Sequence, residues 1–413
     1  MSIVEELESE VRSYCRTWPT EFKKAHGAIL TDTSGREFID FFSGAGTLNY
    51  GHNNDLLKQP LIDYLTSNGV THGLDMTTSA KTEFLEVFKS RILTPRGLPH
   101  KVQFPGPTGT NAVEAALKLV RKVSGRPNVV AFTNAFHGMS LGSLALTGNA
   151  DKRAGAGVPL DHVLRVPYDG FDPDVDGLAL LDRMLSDGGS GLDRPGAVVV
   201  ETVQGEGGVN VARVEWLQEL SDLCRRHELL LVVDDVQMGC GRTGAFFSFE
   251  EAGIVPDVIC LSKSISGYGL PMALVLLRPE LDVWRPGEHN GTFRGNNLAF
   301  VTGAAALRAY WSDSTLEKST GDLADQVRER LTRLAGSVGA DVSVRGRGLV
   351  QGLRFAHAPT AAAVGRRAFE LGLLVETSGP RDEVLKLLPP LTVDGARLDA
   401  GLTVLERAVR ELA

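Results

Sequence analysis

Six short runs of apolar, often β-branched residues recur between positions 101 and 277, and they restrict the fold more than any other feature. They are Lys101–Phe104 (KVQF), Asn128–Phe132 (NVVAF), Ala197–Val200 (AVVV), Leu229–Val233 (LLLVV), Val258–Leu261 (VICL) and Ala273–Leu277 (ALVLL). Runs that are apolar throughout, rather than alternating, suit strands buried on both faces. Helical patterns separate them. Within Asn111–Lys122, for example, Ala112, Ala115, Ala116, Leu119 and Val120 share one face. This rhythm predicts an α/β fold whose large domain is built on a mostly parallel central sheet.

The texture changes near Leu307. A charged amphipathic helix is predicted over Asp322–Leu334, and short strands around Val342–Arg345, Val350–Phe355 and Leu373–Val375. A closing helix is expected through Leu402–Leu412. These elements read as a smaller α+β domain over residues 307–413, with 61–306 as the large domain. The first sixty residues, with the turn signal DTSGR ahead of EFIDFF, are expected to join the small domain. The Gly-, Ser- and Asp-rich stretch Asp182–Pro195 is expected to be a surface loop.

A net charge of -8 leaves no basic surplus to neutralise phosphates, which argues against a nucleic-acid partner. Cys15, Cys224, Cys240 and Cys260 lack CxxC spacing and accompanying histidines. Buried free thiols are therefore expected, with neither a disulfide framework nor a metal site. The acidic N-terminus has no apolar signal region, and no apolar run reaches the roughly 18 residues of a membrane span. A cytoplasmic protein without a membrane partner is expected.

Ligands of open α/β sheets bind beyond the carboxyl ends of the strands. The residues that fall there are unusual. Glu201 follows AVVV, Asp234 and Asp235 follow LLLVV, and Lys263 follows VICL after one serine. Gly106–Thr110 follows KVQF, and Phe136 and His137 come just after NVVAF. A lysine desolvated at a strand end tends toward the neutral amine that condenses with an aldehyde. A single lysine is more often a surface cap, so the neighbours carry the argument. Asp234, on the strand expected beside that of Lys263, can keep a ring nitrogen protonated. A turn cap is the plainer role for one Asp, but it accounts less easily for two in a row after five apolar residues. Gln237 is placed to reach a ring oxygen, and Val236 has the size to pack under a planar ring. Gly109 and Thr110 open a helix whose free amides favour phosphate, although plain capping is the alternative. Phe136 suits stacking on the ring as well as it suits the core. The segment Gly239–Gly244 spells GxGxxG, but it neither follows its strand directly nor opens a helix. No dinucleotide site is expected there.

Taken together, ETVQGEGG at 201–208, DDVQMGCGRTG at 234–244, LSKSISGYGLPM at 261–272 and GTFRGN at 291–296 resemble the class III aminotransferases of the pyridoxal-phosphate fold type I. The resemblance spans most of the chain. FFSGAGTLNYGHNN, KVQFPGPTGTNAVEAALKLVRK, KRAGAGVPL and GEHNGTFRGNNLAFVT are most similar to the diaminobutyrate–2-oxoglutarate branch that serves ectoine biosynthesis.

The resemblance implies pyridoxal 5'-phosphate held as a Schiff base on Lys263, with Asp234 on the ring nitrogen and Gln237 on the ring oxygen. Phe136, His137, Glu201 and Val236 would surround it. Gly109 and Thr110 would bind the phosphate, joined by Thr292 from a neighbouring subunit, which requires a homodimer or a dimer of dimers. Glu206 matches the family's gating glutamate. The family's carboxylate-binding arginine is replaced by Lys386, a point charge rather than a fork. The arginine that often follows FHG is Met139 here, which argues against a 4-aminobutyrate carboxylate. It leaves Arg153, Arg165 and Arg294 as candidates for the γ-carboxylate of glutamate. The implied reaction turns L-glutamate and L-aspartate 4-semialdehyde into 2-oxoglutarate and L-2,4-diaminobutyrate by a ping-pong route. The alternatives are a class III enzyme for ornithine, 4-aminobutyrate or another diamine, a fold-type-I aminomutase or racemase, and a binding protein without cofactor.

Overall fold

The computed structural model describes residues 3–412. It opens on a meander of β1 (Phe22–His26), β2 (Ile29–Asp32) and β3 (Glu37–Asp40), paired antiparallel. The β2–β3 turn is closed by Asp32, whose Oδ1 accepts from the amides of Ser34 (2.9 Å) and Arg36 (3.0 Å). Gly35 takes the positive φ of 87° that this turn needs. The helix Asp55–Thr66 follows, then Ser79–Phe88, and both pack against the later helix Asn297–Tyr310.

The central sheet comprises β4 (Lys101–Gln103), β5 (Val129–Phe132), β6 (Val163–Val166) and β7 (Ala197–Val200), to which later strands add. A small antiparallel pair, β8 (Val203–Gln204) and β9 (Asn210–Val211), follows at its edge. Then come β10 (Leu230–Asp234), β11 (Val258–Leu261) and β12 (Leu274–Leu277). The strand order is β4-β12-β11-β10-β7-β5-β6. Pairings among β6, β5, β7, β10 and β11 are parallel, whereas β12 runs antiparallel to both β11 and β4. The mostly parallel sheet expected from the sequence is present, with β12 reversed.

The apolar runs have a two-sided role. Val198, Val200, Leu231, Val233, Ile259 and Leu261 face one core, shared with Trp216, Leu217 and Leu220 of the helix Val214–Arg226. Ala197, Val199, Val232, Val258 and Cys260 face a second core, shared with Ala112, Ala116 and Leu119 of the helix Gly109–Ser124. A strand covered on both sides has no solvent face, so its sequence cannot alternate.

The C-terminal part carries the helix Thr315–Val338 and the hairpin β13 (Val342–Arg347) and β14 (Val350–Phe355). The helix Ala358–Glu370 precedes β15 (Leu373–Leu374), β16 (Glu376–Ser378) and β17 (Val384–Leu387), and Gly395–Leu412 closes the chain. β13, β14, β17 and β16 form one antiparallel sheet in that order. β15 pairs in parallel with β3, Leu373 against Ile39. This pairing supports the proposed grouping of the first sixty residues with the C-terminal part.

Several expectations need correction. Asp182–Ser186 is not loop but the end of the helix Gly177–Ser186, capped by Asp176 at its start. β6 and β17 were not anticipated. β6 is only partly buried over most of its length and its polar Arg165 breaks the apolar run, while Lys386 breaks the run of β17. The four cysteines are free, but Cys15 is exposed rather than buried. Among the described residues no helix is long and apolar enough to cross a membrane.

Candidate active site

Register brings the strand-end residues together. Asp234, the last residue of β10, pairs with Cys260 of β11, so Lys263 lies just past the same edge. Lys263 opens a single turn with φ 51°, a strained conformation for a side chain with a Cβ. Its Nζ donates to the carbonyl of Ala45 at 2.8 Å. Ala45 itself sits in a turn where Ser43, Gly44 and Ala45 all have positive φ. Burial pushes the Lys263 amine below the ordinary lysine value, and the Lys386 charge adds to this against Glu206.

Asp234 is held from two sides. Its Oδ2 lies 2.7 Å from His137 Nδ1, and its Oδ1 accepts from the amide of Val236 at 3.2 Å. Burial alone would lower the basicity of His137, but the hydrogen bond and charge of Asp234 outweigh it and raise it overall. Asp235, the second acid of the pair, faces the core and accepts from the amide of Ser248 at 3.1 Å. Burial lifts it to about 7. The two neighbouring acids thus have separate settings, one at the cavity and one inside the core.

Glu201 stands one residue past β7, and its Oε2 accepts the Phe136 amide at 3.0 Å. Burial pushes it up to about 8, with the charges of Asp234 and Glu206 adding to the effect, so it carries a proton at neutral pH. At the other end, Thr108 caps the helix Gly109–Ser124, its amide and hydroxyl both donating to Asn111 Oδ1 (3.2 and 2.8 Å). Thr110 Oγ1 lies 2.6 Å from Ser140 Oγ and 2.5 Å from Ser143 Oγ. Those two serines escaped the sequence reading, although both follow the FHG segment closely.

These groups surround a cavity of about 640 Å³, its mouth included. Gly109, Thr110, Phe136, His137, Glu201, Glu206, Asp234, Val236, Gln237 and Lys263 all line it, as expected from sequence; Val203 and Met238 were not foreseen. Two expected residues stay off its wall. Thr292 is exposed on the 291–295 turn and does not reach the cavity of its own chain. Lys386 lies behind Glu206, its Nζ 2.6 Å from Glu206 Oε1 and 3.0 Å from Glu376 Oε1. Glu206 also accepts from Gln237 Nε2 at 3.0 Å. Burial opposes its charge, but Lys386 and then Lys263 overcome this and hold it at about 2.

None of the three arginines considered for a distal carboxylate lines the cavity. Arg153 donates to the carbonyls of Leu144, Ala145 and Thr147, and Arg165 to those of Ala145 and Thr147. Arg294 lies near Asp75 at 3.8 Å. Met139 is mostly exposed and also outside the cavity.

Comparison with known proteins points the same way as this geometry. The family described as aminotransferase class-III matches residues 13–409. A Streptomyces coelicolor protein named diaminobutyrate–2-oxoglutarate transaminase is 64% identical over all of this chain and 98% of its own length. A Nocardia farcinica protein of the same name is 62% identical over 99% of this chain and 94% of its own. Among solved structures, the ornithine aminotransferase of Toxoplasma gondii superposes with a TM-score of 0.87 at 25% identity, covering 99% of this chain and 93% of that one.

Proposed function

The chain belongs to the class-III aminotransferases, and from that premise we propose that it transfers the 4-amino group between L-2,4-diaminobutyrate and 2-oxoglutarate. In the synthetic direction, L-glutamate gives its amino group to L-aspartate 4-semialdehyde. The products are 2-oxoglutarate and L-2,4-diaminobutyrate.

The family's cofactor is pyridoxal 5'-phosphate, and the cavity fits it. Gln237 Oε1 and His137 Nε2 are buried there without a hydrogen-bond partner. Gly109 leaves open a space in which a Cβ would come within 2.8 Å of Val236 Cγ1. Lys263 would hold the aldehyde end and Asp234 the ring nitrogen, backed by His137. Gly109 and Thr110 would hold the phosphate at the helix N-terminus. When bound, the cofactor supplies a carbon that takes the amino group and a ring that receives the electron pair released at the substrate carbon. Lys263, with its lowered basicity, is the group on hand to move the proton. Asp234 keeps positive charge favourable on the ring side, and Val236 and Phe136 supply flat contacts.

The observation that carries the substrate reading is the Glu206–Lys386 pair at 2.6 Å, with Glu206 on the wall of this cavity and Lys386 behind it. With Glu206 seated, the positive charge is masked and an amine-bearing carbon chain meets a neutral wall. With Glu206 displaced, Lys386 offers a cation for an α-carboxylate. One cavity then serves two substrates that differ in which end reacts. We place the reaction in the cytoplasm and the product in ectoine synthesis; the sequence likeness supports the destination. The active unit is proposed to be a homodimer or a dimer of dimers. Exposed Leu74, Met76 and Phe293 beside Thr292 support this.

The test uses purified protein with diaminobutyrate and 2-oxoglutarate, following glutamate formation, with ornithine and 4-aminobutyrate in parallel. Diaminobutyrate is expected to lead by at least about tenfold in kcat/KM. A better rate with either of the other amines sinks the assignment.

A further inference from the structure

Lys386 has two carboxylates on one ammonium, and only one of them is free to leave. Glu206 lies between the short strands β8 and β9, lines the cavity, and keeps a quarter of its side chain exposed (25%). Glu376 lies within β16, directly across the ladder from Lys386, with a side-chain exposure of 6%. Cross-strand partners share a face, so Glu376 stays at Lys386 whatever Glu206 does. Its Oε2 also accepts from the Tyr14 hydroxyl at 3.4 Å.

The geometry points to Glu376 as a positioning residue of this site: a fixed second counter-ion that keeps the Lys386 ammonium charged and in place while Glu206 is displaced by a substrate carboxylate. This rests on the reading of Glu206 and Lys386 given above. A lysine needs such a device more than an arginine does. It presents a point charge on a flexible stem, and a fully buried amine without a partner sheds its proton readily. Lys386 is fully buried, at 0% exposure. With both acids in place its basicity stands well above the ordinary lysine value, because the two acids overcome burial. Glu376 sits at about 7, raised by burial and further by the Glu206 charge against the pull of Lys386. Once Glu206 has swung away and until a substrate carboxylate docks, that repulsion is gone, and Glu376 ionises more readily while it is the partner left at Lys386. The charged and titratable groups facing Glu376 are Lys386, Glu206, Lys263 and Tyr14.

The experiment compares holoenzyme with Glu376→Gln and Glu376→Asp variants. Each half-reaction is followed separately by stopped-flow absorbance, and binding of glutarate, an inert dicarboxylate, by calorimetry. In Glu376→Gln the glutamate half-reaction is expected to fall about tenfold at neutral pH and further as pH rises, because Lys386 loses its proton. The diaminobutyrate half-reaction, run with Glu206 seated, stays within about twofold. Glutarate affinity falls in parallel with the glutamate rate, and Glu376→Asp recovers most of it. Equal losses in both half-reactions, or equal losses in the Gln and Asp variants, overturn the inference, since packing alone then accounts for them. Undiminished glutarate binding in Glu376→Gln overturns it too. A wild-type enzyme inactive on diaminobutyrate would instead sink the substrate assignment, and glutarate binding would still decide the role of Glu376.

Discussion

Glu201 is an acid kept neutral by its surroundings. Its value of about 8 lies far above the ordinary 4.5, chiefly through burial. The folded state therefore binds a proton more tightly than the unfolded chain does. The stability this gives is fully present below about pH 4.5 and is lost as pH rises through about 8, at up to about 1.4 kcal/mol per pH unit. Glu201→Gln keeps an acceptor for the Phe136 amide and removes the titration. Denaturant unfolding at a series of pH values is expected to show a flatter dependence between pH 5 and 8 in the variant, roughly as a single-proton linkage predicts. An unchanged slope would mean that Glu201 does not hold that proton. At this scale much was legible in advance, because one rule found Glu201, Asp234 and Lys263: polar residues just past buried strands. Glu376 obeys the same rule after Leu373–Val375 and was still missed. Its meaning depends on Lys386, whose strand was not recognised because a charged residue interrupts it. The contact of His137 with Asp234 joins positions far apart in sequence, and only the sheet order creates it.

The helix Gly109–Ser124 and the β10 edge act as one element pair, since Gly109 has no room for a side chain against Val236. An added Cβ must displace either the helix start or the wall that would lie under the cofactor ring. The helix interior, with its apolar face in the core, is untouched by the change. Gly109→Ala is thus expected to weaken cofactor retention by about tenfold while the melting temperature of the cofactor-free protein moves by only about 2 °C. Equilibrium dialysis and a thermal melt of that form check it; intact retention would show that the contact relaxes elsewhere. The elements themselves were legible where burial on both faces forced continuous apolar runs. Direction was not, as β12 shows: an apolar run has the same composition whichever way the strand points. Nor was the continuation of β15 into β16, which ties the N-terminal meander to the C-terminal sheet and sets Glu376 in its place.

For the whole molecule, the open question is Thr292. The structure puts it on an exposed turn next to exposed Phe293, with His72 packed against that ring at 5.4 Å and Asp75 near Arg294. A threonine so placed contributes nothing to its own cavity, so its expected role at a phosphate requires a second copy of the chain. Mixing two inactive variants tests this. Lys263→Ala removes the amine, and Thr292→Asp sets a negative charge where phosphate would bind. In a mixed dimer with shared sites, one site carries both defects and the other carries neither. After subunit exchange, random pairing makes about half the dimers mixed and restores about a quarter of the sites. If Thr292 served only its own chain, every site in every dimer would keep one defect, and mixing would restore no activity. Regained activity near a quarter of the wild-type value, rising with the exchange time, is the expected result. Activity that stays at the level of the separate variants after complete exchange removes Thr292 from the neighbouring subunit's site, and with it the main reason for requiring an oligomer.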